Sequence, residues 1–235
     1  MIWFIYALVA AILFGFKQIL AKQSLEKAHA AEHLSAFTIV AFILSWTFLP
    51  KIHLFSYGAD VLGLMYIKAL VLTFSWLFAI KALRHMEISF VIPMLTMSPL
   101  VLLVIGIIFL GEVPTLVQYM GVFLLLMGAY WLQADHSKEK LLKPWKTFKN
   151  KYALYMLVPI IGYSVCAALD KVILQKADPY TFLFFTFGIL SIHYFLIQTY
   201  RYKGVQDIRH AFKKSSHVIV LGAVFAFLSD IIYYF

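Results

Sequence analysis

A few polar side chains stand inside long apolar runs, and through them this chain could do chemistry. Asp230 comes about fourteen residues into the run from His217 to Phe235, and His193 is similarly deep in the run from Thr181 to Tyr200. A carboxylate or an imidazole at membrane depth is costly unless it faces a partner or a cavity. As neighbours, the two could take up protons near neutral pH and couple them to transport. Gln18 beside Lys17 in the first run, Trp76 in the third and Tyr163 in the sixth complete the candidate substrate-binding set. They are expected to supply a few polar contacts and an aromatic wall in an otherwise apolar pocket. Each has a plainer reading: packing for Trp76, a hydrogen-bonded packing residue for His193, an interfacial anchor for Tyr163 and a helix-pairing carboxylate for Asp230. Tyr163, Cys166 or Ala167, and Asp170 share a helical face by their three-and-four spacing, which could line a cavity. Lys17 and Lys68 have stems long enough to carry their ammonium groups to the membrane interface, and that is their default reading.

No catalytic constellation accompanies these groups, and the chain does not read as an enzyme. It has no Gly-rich phosphate loop, no H-E-x-x-H pair and no G-x-S-x-G turn. His29 and His33 have helical metal-ligand spacing, but no nearby cysteine or third histidine completes a site. The single cysteine, Cys166, excludes an intramolecular disulfide and a thiolate cluster, and burial in an apolar helix is its ordinary role. Neither a metal nor another cofactor is expected.

The elements that must position these side chains are membrane helices. The chain is 63% hydrophobic and 13% charged with a mean hydropathy of +0.87, whereas about a quarter of a soluble domain is charged. Ile88 to Leu110 has no ionisable residue over a span long enough to cross the hydrocarbon core, and Thr115 to Trp131 is equally free of charge. Gly111-Glu112-Val113-Pro114 joins them, with a carboxylate near the start of the next helix, where negative charge is favoured. Pro93 and Pro99 each remove a helix hydrogen bond and permit a bend. Gly121 and Gly128 fall on one face and could admit a neighbouring helix closely.

The remaining spans are Ile2 to Ala21, Leu34 to Leu49, Val61 to Leu83, Tyr152 to Ile173, Thr181 to Tyr200 and His217 to Phe235, making eight. Ala28-His29-Ala30 resembles a signal-peptide cleavage site, but no basic residue precedes the first run and charged positions separate the two. Residues 133–151 form a basic linker between 1–132, with five spans, and 152–235, with three. The net charge of +9 sits in short loops and this linker, which points to anionic lipid headgroups rather than nucleic acid. An internal repeat aligns Phe14-Gly15-Phe16 and Lys22 to Ala28 with Ile161-Gly162-Tyr163 and Lys171 to Ala177, allowing one two-residue offset.

Ile92-Pro93, Pro99-Leu100, Leu110-Gly111-Glu112 with Pro114, Gln118, and Gly121 with Gly128 resemble the drug/metabolite transporter superfamily, in particular its EamA-like members. The resemblance implies an all-α polytopic bundle of two five-helix halves with opposite topology around a central cavity, a 5+5 inverted repeat. About eight of its ten helices are present here, and the second half would lack its own glycine-glutamate turn. Family members are more usually N-terminus-in. The charge distribution points the other way: three lysines lie on the side of the N-terminus and fifteen Lys or Arg on the opposite side, which puts the linker in the cytoplasm.

The function expected is a multi-pass carrier, in the plasma membrane, that exports a small organic solute by alternating access. Proton coupling is conceivable, and no nucleotide-binding segment suggests a self-contained pump. Two other readings stand beside it: a subunit that needs a homodimer or partner to close its cavity, and a lipid-carrier flippase, favoured if Lys17 and Lys68 face the cavity.

Overall fold

Apolar runs of about twenty residues satisfy their backbone in lipid only as helices or closed barrels, and this chain uses helices. The computed structural model describes residues 2–53, 56–133 and 151–234. In order, the helices among these residues are α1 (Ile2–Leu25), α2 (Ala30–Ser45), a 3-10 turn (Trp46–Lys51), α3 (Ala59–His85), α4 (Ile88–Leu95), α5 (Ser98–Phe109), α6 (Leu116–Gln133), α7 (Lys151–Tyr155), α8 (Leu157–Leu174), α9 (Pro179–Arg201) and α10 (Val205–Tyr234). Seven stretches among the described residues are long and apolar enough to cross a bilayer, with α4–α5 and α7–α8 each counting as one, and Leu116–Trp131 is a shorter apolar helix. The protein is an all-α polytopic bundle. The basic linker expected over 133–151 lies outside the described residues except at its two ends.

Three expected spans differ in detail. The span expected from Ile88 to Leu110 is two helices, broken at Thr96 and Met97 between Pro93 and Pro99. Pro99 has no N–H for the carbonyl of Leu95. The Ser98 hydroxyl donates to that carbonyl at 2.8 Å instead. Thr96 Oγ1 likewise donates to Pro93 O at 2.6 Å. Hydroxyls thus satisfy carbonyls that would otherwise stand bare in hydrocarbon. The sixth span breaks at Met156, ahead of Pro159, for the same reason. The eighth begins at Val205 rather than His217, because its first turns form a helix that meets the apolar part at the non-helical Ser215.

The described chain falls into two compact units, Met1–Thr73 with Val172–Phe235, and Phe74–Lys171. In the first unit α1 packs on α10, and α2 on α9 and α10. The α1–α10 seam is antiparallel: Ser229 Oγ donates to Ala10 O at 2.9 Å, the rings of Phe16 and Phe225 lie 5.8 Å apart, and Leu20 borders Gly222. Phe42 of α2 rests on Gly188 of α9, where a Cβ would come within 3.1 Å of its ring. Glycine there permits the close approach.

In the second unit, Gly111 adopts φ 65°, and the Glu112 N–H returns to Gly106 O at 3.0 Å. Glu112 forms an ion pair with Lys171 rather than serving the start of α6. That start is capped by Thr115 and Gln118: the Thr115 N–H donates to Gln118 Oε1 at 2.7 Å, in a T-x-x-Q capping box. The close approach expected at Gly121 and Gly128 is not made, since a Cβ at either would meet nothing within 4 Å.

The repeat read from the sequence has a structural echo in two turns at one constant spacing. Lys27 and Ala28 N–H groups donate to Ser24 O, and Lys176 and Ala177 N–H groups donate to Ile173 O. His29 and Asp178 then take extended backbone as the N-caps of α2 and α9.

Candidate functional site

The first unit gathers polar side chains along two seams, and three of the five candidate residues, Gln18, His193 and Asp230, belong to it. Along α1, α2 and α10, Lys17 lies within electrostatic reach of Asp230. Its stem leans back toward the start of α1, as helix side chains do. That sets Nζ over the rings of Phe14 at 5.0 Å and Phe37 at 5.5 Å. The Phe37 ring stacks on His33 at 5.7 Å, and His33 Nδ1 shares a 2.9 Å hydrogen bond with Ser24 Oγ. A continuous line of polar and aromatic groups therefore runs from Ser24 at the end of α1 to Asp230. Gln18, next to Lys17, is buried in the same helix. Asp230 neighbours Ser229, whose partner Ala10 lies roughly two turns into α1. The carboxylate is thus held well inside the helical span.

The second seam joins α2, α3 and α9. Tyr194 is fully buried; its hydroxyl donates to Thr73 O at 2.7 Å, and its carbonyl accepts from Ser35 Oγ at 3.0 Å. Thr73 Oγ1 lies 2.7 Å from Ala69 O and 2.8 Å from His193 Nδ1. The hydroxyl has one proton, so when Ala69 O receives it, Nδ1 is the donor and Nε2 of His193 bears the lone pair. The edge of Tyr66 meets the same imidazole at 5.7 Å. His193 therefore answers Thr73 and Tyr66, and the juxtaposition of His193 with Asp230 considered from the sequence is not formed.

Lys68 is buried rather than exposed at an interface. Its ammonium sits 4.3 Å from the centre of the Phe182 ring, which packs on Tyr234 at 5.2 Å. Phe182 is in the first turn of α9, so the stem still reaches toward a helix end, but inside the bundle.

Trp76 and Tyr163 are half-buried in the second unit. There Cys166 is buried and Tyr163 and Asp170 are partly so. Ser164, beside Tyr163, places its hydroxyl 2.7 Å from Ser98 O and 2.8 Å from Ile160 O, tying α8 to the start of α5. His29 caps α2, its N–H donating to Glu32 Oε2 at 2.8 Å. Among the described residues no three His, Cys, Asp or Glu side chains come together as metal ligands would.

Sequence reading missed Ser24, His33, Ser35, Tyr66, Thr73 and Tyr194 as members of these seams. The available signal was small hydroxyl residues inside apolar helices, which often hydrogen-bond between helices.

Outside the membrane spans, one clasp joins the α2–α3 connection to α9. The Tyr57 hydroxyl donates to Asp178 Oδ2 at 2.5 Å and accepts the Asp178 N–H at 3.1 Å, while Asp178 Oδ1 accepts the Thr181 N–H at 2.9 Å. Burial works to raise the Asp178 carboxyl, but the bonds from Tyr57 and Thr181 outweigh it and hold the group below its usual value. Burial and then the carboxylate push the Tyr57 phenol up. Lys51 Nζ donates to Tyr180 Oη at 3.1 Å alongside it.

The family model that matches the chain is that of the EamA-like transporter family, over residues 1–133, which is more than half of the sequence and includes α1 to α6. No curated protein and no solved structure matches. With that match and its array of apolar helices, the chain belongs to the EamA-like transporter family, within the drug/metabolite transporter superfamily, and is a multi-pass membrane transporter of that type.

Proposed function

We propose that the protein exports a small organic solute, a metabolite, amino acid or drug, across the plasma membrane by alternating access, with the Lys17–Asp230 region as the polar part of its binding site. The observation that carries this reading is a lysine and an aspartate within electrostatic reach of one another along the antiparallel α1–α10 seam, at a depth where charge is expensive. These helices come from opposite sides of the linker, and carriers built from inverted repeats place their substrate sites where the halves meet. Gln18, His193, Trp76 and Tyr163 are the further candidates for contact with the solute.

The test is uptake by the purified full chain in liposomes, using a panel of radiolabelled amino acids, sugars, organic cations and polyprenyl phosphates, with and without a proton gradient. Asp230→Asn and Lys17→Gln are expected to lower transport of the active solute at least tenfold while the protein still unfolds cooperatively on heating. Wild-type rates in both variants would sink the assignment. Polyprenyl phosphate as the only active solute would favour the flippase reading instead.

A partner-dependent reading draws on α6, where Gly121 and Gly128 face open space and Ala129 is the buried position among its described residues. Transport by detergent-purified protein shown to be monomeric in the liposomes would overturn it.

A further inference from the structure

The first turns of α10 form a short basic helix ahead of the apolar part. Its buried positions, Ile208, Ala211 and Ser215, follow one another at helical spacing and continue to Ile219 beyond the break at Ser215. Arg209, His210, Lys213 and Lys214 are exposed and occupy two adjacent rows on the opposite side, related by steps of four.

The acid of this segment is withdrawn from that face. Asp207 Oδ2 accepts from Gln198 Nε2 at 2.7 Å and from the Lys203 N–H at 2.9 Å, across a turn in which Gly204 adopts φ 58°. This clasp fixes how the helix leaves α9. Among the described residues, no carboxylate pairs with Arg209, Lys213 or Lys214. The apolar run Val218-Ile219-Val220-Leu221 begins four residues after Lys214, roughly one turn of helix, which holds the cations at headgroup depth.

We propose that the face formed by Arg209, His210, Lys213 and Lys214 is a binding site for anionic phospholipid headgroups, oriented by the Asp207 clasp. The charge is of one sign, the Asp207 clasp fixes where its helix starts, and its distance from the apolar run matches a lipid surface rather than a polyanion in solution. Basic residues next to a span each add attraction to anionic lipid. The site is independent of the solute carried, so it stands or falls apart from the transport reading.

The experiment is native mass spectrometry of the full chain in detergent, titrated with phosphatidylglycerol or with phosphatidylcholine. Three proteins are compared: the unaltered chain, the triple variant Arg209→Gln/Lys213→Gln/Lys214→Gln, and a charge-matched control, Lys143→Gln/Lys146→Gln/Lys149→Gln. Each cation removed from the face is expected to weaken phosphatidylglycerol binding about fivefold, and all three about a hundredfold. Phosphatidylcholine binding should not change, and the control, which removes the same charge from the linker, should lose at least about tenfold less phosphatidylglycerol affinity than the Arg209/Lys213/Lys214 variant. Equal losses in the two triple variants would mean that net charge alone drives binding and would overturn the site. So would undiminished phosphatidylglycerol binding by the Arg209/Lys213/Lys214 variant.

Discussion

Replacing Asp178 with alanine removes two supports at once, and their sum can be read as a melting shift. The carboxylate caps α9 through the Thr181 N–H, and loss of such a cap costs about 1 kcal/mol. It also accepts the Tyr57 hydroxyl, a bond to a charged group that contributes about 1.5–3 kcal/mol. Because Asp178 is partly exposed, water replaces some of the second contribution, and a total of about 2–3 kcal/mol is expected. For a chain of this size, that lowers Tm by about 5–10 °C. Asp178→Asn, which keeps an acceptor but not the charge, should lose about half as much.

The pH dependence follows from the two shifts. The folded carboxyl lies below its unfolded value, so its contribution is present above the usual carboxylate pKa of about 4 and is lost as pH falls through the lower folded value. The folded phenol lies above its unfolded value, so its contribution is present below about pH 10 and is lost as pH rises through the raised one. Thermal unfolding in detergent, followed by tryptophan fluorescence from pH 3 to 11, should show the largest gap between unaltered and Asp178→Ala protein at pH 5–9, narrowing at both ends. A gap absent at pH 7, or constant across the whole range, would refute the clasp.

Tyr194→Phe should lower Tm by about 2–4 °C, because the lost hydroxyl bond to Thr73 O is fully buried and worth about 1 kcal/mol; an unchanged melting curve would count against it. Gly188→Leu should cost about 1–3 kcal/mol or more by overpacking against Phe42, and Gly188→Ala distinctly less, since the ring need give by only a few tenths of an ångström; equal melting of the two would contradict the close approach. Glu112→Gln should cost under about 1 kcal/mol, because both partners of the Glu112–Lys171 pair are well exposed, and a larger drop in Tm would mean that the pair is shielded from water.

Hydropathy made the spans legible, because a helix of lipid-crossing length leaves a long signal that a few polar residues do not erase. In the sequence the break at Thr96 shows only as the prolines Pro93 and Pro99. Whether proline bends a membrane helix or divides it depends on what then satisfies the freed carbonyls, and that falls to Ser98 and Thr96 through side-chain geometry. Hydropathy alone starts the eighth helix at His217, since the cations at 209–214 look like a loop when helical amphipathicity is not weighed. Partner choice was the least legible. Asp230 and His193 were each recognisable as polar groups at depth, yet which helix each would face depends on rotation about the helix axis. A difference of one residue, about 100°, decides that.

The polar groups of the first unit are not equivalent, and the difference predicts which substitutions will separate folding from transport. Thr38 Oγ1 lies 2.7 Å from Leu34 O and Ser45 Oγ 2.6 Å from Phe42 O, so these hydroxyl protons are spent on their own helix. Ser35 spends its proton on Tyr194 O and thereby fastens α2 to α9. An ammonium has three donors and a carboxylate about four acceptor sites, against the single proton of a hydroxyl. In the proposed function the solute is bound by the charged groups Lys17 and Asp230, whereas the Ser35 proton is committed to Tyr194 O. Ser35→Ala should consequently lower Tm by a few degrees, for about 1 kcal/mol, and leave the solute's apparent KM unchanged. Asp230→Asn, close in size, should move KM or the maximal rate by at least tenfold at a smaller cost in Tm than its effect on transport implies. Were Ser35→Ala to alter KM as strongly as Asp230→Asn, the polar seams would form one functional site, and this separation of structural from solute-binding groups would be wrong.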